Sequence, residues 1–140
     1  MRRLLSCVAI MMTAGVMMAG TAFAADGIAV RRGTDSTVFG NCVPSLTVEN
    51  KSDQTIDYLQ VDLALSLANG ERRLVELKSA YREGVLFPIA PGGQATLKQQ
   101  LDLSPPTGVP CSAIQARQVV RTLCESNGGK PCSVAIQVQP

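Results

Sequence analysis

The stretch TIDYLQVDLALSL, Thr55 to Leu67, alternates Leu59, Val61, Leu63, Leu65 and Leu67 with Tyr58, Gln60, Asp62, Ala64 and Ser66. A period of two held this long fits a β-strand that buries one face. A helix would scatter the same apolar residues around its axis. Asn69-Gly70 follows directly and favours the tight turn of a hairpin. ERRLVELK, Glu71 to Lys78, then reads as the return strand. The rest of the chain must cover the apolar face of this hairpin.

The remaining segments repeat the pattern. PSLTVEN (Pro44 to Asn50) alternates Leu46 and Val48 with Thr47 and Glu49, and KSDQ turns it into the long strand. VLFPIAPGGQ (Val85 to Gln94) carries an apolar segment into a Pro/Gly turn, and ATLKQQLDL (Ala95 to Leu103) alternates again. SPPTGVP (Ser104 to Pro110) is a stiff loop that cannot lie inside a strand. SVAIQV places Val134, Ile136 and Val138 on one face, while GIAVRR and STVF read as an irregular first edge strand. SAIQARQVVRTL (Ser112 to Leu123) loses its phase at Val119-Val120. It reads as a bulged strand, with a short helix placing Ile114, Val120 and Leu123 inward as the competing reading. About seven strands with Pro, Gly and Asn turns predict an all-β sandwich of immunoglobulin or fibronectin type.

The N-terminus bears on compartment. Arg2 and Arg3 precede an uncharged apolar run, and Ala22-Phe23-Ala24 supplies a cleavage box. Residues 1–24 are therefore expected to be a signal peptide cut after Ala24, with residues 25–140 forming one exported domain, periplasmic or secreted. Cys7 lies before the apolar run, where a lipidation cysteine would not. All five methionines fall in the leader, as do two of the thirteen basic residues, which leaves eleven basic against eleven acidic. A neutral domain gives no reason to expect nucleic acid or an anionic membrane as partner, and no stable membrane span is expected after cleavage. Beyond residue 24 the chain has no His, Met or Trp. Imidazole acid–base catalysis and the common metal ligand sets are thereby excluded, and no cofactor is expected.

Four cysteines remain: Cys42, Cys111, Cys124 and Cys132. Their spacings offer neither the short pairs of a zinc site nor the Cys-x-x-Cys of a redox site, so two disulfides are expected. Three pairings are possible. Cys124 and Cys132 flank a Gly-Gly turn between consecutive strands, which favours joining them across a hairpin mouth. Cys42 and Cys111, which precede strands running the same way in facing sheets, then form the second bridge.

The run LTVENKSDQTIDYLQVDLALSLANGE…LFPIAPGGQATL resembles the FxLYD-like group of bacterial immunoglobulin-like domains. The shared elements are a strand ending in Asn50, a long strand over Ile56 to Leu67, a hairpin at Gly70 and a turn at Pro91-Gly92. LSLANG stands where that group carries its aromatic-Leu-Tyr-Asp element. The resemblance implies an exported accessory module without a catalytic site.

The functional expectation is a non-catalytic module that binds a protein partner in the cell envelope through sheet edges or loops. Arg72 and Arg73 on the hairpin, Tyr81 and Arg82 in the loop SAYREG, and Phe87 are the candidate contacts. The alternative is a secreted inhibitor of a hydrolase, lysozyme or protease, acting through a disulfide-braced loop, SPPTGVPC or ESNGGKP. An enzyme is not expected. Lys78 with Ser79, and Glu49 with Asp53, are the only close combinations that could serve one, and neither has a signature spacing.

Overall fold

A computed structural model describes residues 26–79, 81–82, 85–100 and 106–140. The expected signal peptide, with Leu101, Leu103 and the start of the SPPTGVP loop, lies outside the described residues. The strands are β1 (Ile28–Arg32), β2 (Ser36–Val38), β3 (Asn41–Val43), β4 (Ser45–Asn50), β5 (Ile56–Leu67), β6 (Arg72–Lys78), β7 (Tyr81–Arg82), β8 (Val85–Leu86), β9 (Gln94–Gln99), β10 (Ile114–Ser126), β11 (Lys130–Pro131) and β12 (Ile136–Gln139). Eight of them form one continuous, curled sheet in the order β11-β10-β5-β6-β9-β4-β1-β12. β2 with β3, and β7 with β8, are separate two-stranded hairpins. No described helix is long and apolar enough to cross a membrane.

The alternation of β5 organises the core. Leu59, Val61, Leu63, Leu65 and Leu67 are all buried, together with Val75 and Leu77 of β6, Leu97 of β9, Leu46 and Val48 of β4, and Ile28 and Val30 of β1. These side chains come from both halves of the sheet, so the curl is what encloses them.

The segment GIAVRR is not an edge strand. β1 pairs antiparallel with β4 and parallel with β12, because Ile28 and Val30 need cover on both flanks. The ambiguous segment after Cys111 is a strand. β10 follows a short 3-10 turn (Cys111–Ala113) and pairs with β5 along its length, with register shifts at Ile114/Ala116, Val119/Arg121 and Glu125/Ser126. Tyr81 and Arg82, expected in a loop, form β7 and pair with β8.

Asn50 ties the turns at one end of the sheet. Its Nδ2 donates to the carbonyls of Gln54 (2.7 Å), Ile89 (3.0 Å) and Ala90 (3.2 Å). Its Oδ1 accepts from the amide (3.1 Å) and hydroxyl (2.6 Å) of Ser52. The residue is fully buried, so the Asn50-Lys51-Ser52 sequon offers no accessible amide.

Candidate interaction surface

β10 is fastened at both ends. Cys111, just before it, is disulfide-bonded to Cys42 of β3, with the Cα atoms 4.6 Å apart. Cys124, near its end, is bonded to Cys132 just after β11, at 5.4 Å. Between these clamps one edge of β10 pairs with β5, whereas β11 covers the other edge only at Glu125 and Ser126. Among the described residues, no strand pairs with the outer edge of β10 from Ile114 to Leu123.

The chain leaves that edge open because its last strand goes elsewhere. After Cys132, Ser133 accepts a bond from Gln54 Nε2 at 2.6 Å, and the Ala135 carbonyl accepts from the Ile28 amide at 2.9 Å. β12 then runs parallel to β1. Gly27 permits the crossing, since a Cβ there would lie 2.7 Å from the Ala135 oxygen. β12 nevertheless passes beside β10. Ile136 borders a cleft of about 360 Å³ with Thr122 to Glu125, and Pro140 borders one of about 220 Å³ with Ile114 to Arg117.

The β2–β3 hairpin flanks the start of this edge through the Cys42–Cys111 bridge. Its turn carries Phe39, 99% exposed and in the left-handed region at φ 48°. A bulky residue in that region is strained by roughly 1 kcal/mol or more. Left wholly in water, the ring contributes none of the stability that burying it would supply.

The outer face of β6, β5 and β10 follows from their registers. Arg72, Ser66 and Ala116 form one row across the strands, and Leu74, Ala64 and Gln118 the next. Glu76, Asp62 and Arg121 follow, then Lys78, Gln60 and Leu123. Leu74 is 74% exposed, and the bulge at β10 leaves Val120 56% exposed. Around them Lys78 pairs with Glu76 at 2.8 Å, Arg121 with Asp62 at 2.7 Å, and Arg72 donates to Gln118 at 3.1 Å. The bond that Lys78 donates to Glu76 holds its ammonium pKa above the ordinary value. Burial pushes the Tyr58 hydroxyl up, and neighbouring carboxylates add to the effect.

Near the start of β10, Arg117 pairs with Asp35 in a largely buried ion pair. Burial alone would raise the Asp35 carboxyl. The bond and charge of Arg117, the Ser45 amide and Arg32 outweigh it and hold the carboxyl below its ordinary value. Asp35 also lies within 4.8 Å of the Cys42 and Cys111 sulfurs. Those sulfurs are shared in a disulfide, which leaves no thiolate to bind a metal.

The residues singled out from sequence do not converge. Arg72 lies on the outer face. Arg73 turns the other way and tethers the loop before Cys111, donating to the Thr107 carbonyl at 2.9 Å and to Glu71 at 3.1 Å. Tyr81 and Arg82 lie beyond the far end of β6, roughly 25 Å along an extended chain from Arg73. Phe87 is 51% exposed, beside the Ile56–Ile89 bridge, and is not a core residue. Lys78 lies on the outer face, whereas Ser79 is buried and accepts a bond from the Leu59 amide at 3.3 Å. The sequence reading missed Phe39, Leu74 and Val120. Leu74 could have been found, because it stands among the polar positions Arg72, Glu76 and Lys78 of its strand.

No protein-family model matches the chain, and no curated protein sequence matches it. Among solved structures the chain is similar to IrmA from Escherichia coli, at 12% identity and a TM-score of 0.53, over 81% of this chain and 91% of that one. At that identity the likeness speaks to the all-β fold.

Proposed function

We propose that this chain is an exported, non-catalytic module that binds another protein of the cell envelope, using the open edge of β10 and the Phe39 finger beside it. On this reading the curled sheet is an immunoglobulin-like or fibronectin-like sandwich, of the FxLYD-like plan, whose last strand has moved to the other layer. The leader is removed after Ala24, and the domain works in the periplasm or outside the cell, where disulfides persist. The observation that carries the proposal is the clamping of β10 by a disulfide at each end while, among the described residues, no strand pairs with its outer edge from Ile114 to Leu123. A rigid edge loses little entropy when a partner strand or loop docks on it.

The inhibitor reading has less support. The loop before Cys111 is stitched inward, with the Thr107 hydroxyl on the Cys42 carbonyl at 2.7 Å and the Cys42 amide on the Val109 carbonyl at 2.7 Å. The test is photo-crosslinking in cells, with a benzophenone side chain replacing Phe39, Gln115 or, as control, Thr96 on the opposite half of the sheet. One envelope protein should crosslink from positions 39 and 115 and not from 96. Crosslinking from 96 alone would overturn the proposal.

A further inference from the structure

The outer face of β6, β5 and β10 is a different surface from the open edge, and its pattern raises the question of what covers it. Leu74 of β6 and Val120 of β10 stand exposed on either side of the strand that carries the buried Ala64. The charged groups around them balance, with Arg72, Lys78 and Arg121 against Asp62, Glu76 and Glu125. A balanced face does not suit a strongly basic or acidic partner. Among the described residues, Arg72 and Glu125 are the charges of this face that meet no oppositely charged partner, and Arg72 donates to Gln118 instead.

We propose that this face binds a second copy of the chain across a two-fold axis that lies in the interface, at right angles to the strands and over the Leu74–Ala64–Gln118 row. Such an axis reverses position along each strand and keeps each strand over its own copy. Leu74 then meets Leu74 of the second copy and Ala64 meets Ala64. Arg72, two residues before Leu74, meets Glu76, two residues after it, and the exchange occurs twice. The face complements itself in charge at Arg72 and Glu76, and the two Leu74 side chains meet at its axis.

Three strands about 4.8 Å apart, read over roughly ten residues of about 3.3 Å, make a patch of about 480 Å² per copy before side-chain relief is counted. The two copies together bury about 950 Å², just short of the about 1,000 Å² that a stable interface clears, so the dimer is weak and transient, with a dissociation constant on the order of 100 μM. The dimer leaves the outer edge of β10 open, because β10 stays at the margin of both copies. It therefore stands or falls independently of the envelope partner.

The test is sedimentation equilibrium of the purified, exported, disulfide-bonded chain, from about 1 μM to about 1 mM, bracketing the expected constant. Circular dichroism checks that each variant is folded. The wild-type chain should form dimers, and Leu74→Lys should weaken them at least about tenfold by burying two ammonium groups against each other. Arg72→Glu should weaken them by several-fold, placing carboxylates opposite each other, and the double variant Arg72→Glu/Glu76→Arg should recover the loss. A chain that stays monomeric overturns the proposal. So does a dimer indifferent to Leu74→Lys, or a double variant no better than Arg72→Glu. A monomer whose Leu74→Lys variant loses a different envelope protein would assign the face to that protein and likewise overturn it.

Discussion

Replacing Asn50 by alanine tests the turn architecture, because the bonds at risk can be counted. The side chain, itself fully buried, donates to three carbonyls and accepts from the Ser52 amide and hydroxyl. The carbonyls are not all orphaned by its loss. The Ile89 carbonyl keeps the Ile56 amide at 3.0 Å, and the Ala90 carbonyl keeps the Gly93 amide at 2.8 Å. The Ser52 amide loses the acceptor it had. At about 1 kcal/mol for each of two to three net bonds, plus the buried amide, Asn50→Ala should cost about 3 kcal/mol. Asn50→Asp should be worse at neutral pH, since it turns a carboxylate toward three carbonyl oxygens. The folded-state pKa of that aspartate would lie above its unfolded value. Its stability deficit should therefore shrink as pH falls and be complete once pH has risen through the folded pKa. Urea unfolding with disulfides intact, at pH 7 and pH 4.5, reads both effects. An Asn50→Ala loss under about 1 kcal/mol, or an Asn50→Asp deficit insensitive to pH, would refute the reasoning.

Three further outcomes follow from the same contacts. The bridge across residues 42 and 111 closes a separation of 69 and that across 124 and 132 one of 8. On the chain-entropy model, the double serine variants should lose about 4 and about 2.5 kcal/mol in calorimetry, in that order of severity. Asp35 is held below its ordinary value in the fold, so its contribution is complete above the unfolded pKa near 4 and fades as pH falls through the folded one. Asp35→Asn should cost about 3 kcal/mol at pH 7, by leaving Arg117 buried without a counter-charge, and should flatten the acid limb of the stability curve. Phe39→Asn should instead stabilise the fold by about 1 kcal/mol in urea unfolding, since asparagine tolerates the left-handed region, while lowering partner capture. Unchanged capture would remove Phe39 from the contact surface.

What was legible in the sequence was what period two and turn chemistry encode. The β5–β6 hairpin, β4 and the bulged character of β10 come from alternation, from Asn69-Gly70 and from the phase break at Val119-Val120. The place of β1 was not legible, because Ile28 and Val30 alternate equally well in an edge or an interior strand. Which strand β12 would join was hidden for a related reason. Val134, Ile136 and Val138 need only one apolar wall, and the close approach at Gly27 decides which wall they meet. The candidate surface was harder still. Arginines and a tyrosine were read as contacts by residue type, yet Arg73 is spent on fastening a loop. Phe39 was passed over because nothing in STVFGN announces that the turn leaves the ring in water.

Residue-resolved amide exchange by NMR on the monomeric, disulfide-bonded chain tests the central geometry most directly. The amides of β12 that face β1 should be protected, as should those of β10 that face β5, while the outward amides of β10 between Ile114 and Leu123 exchange freely. Unbroken protection of both edges of β10 over that span would mean that the final strand pairs there after all, and the open edge would not exist.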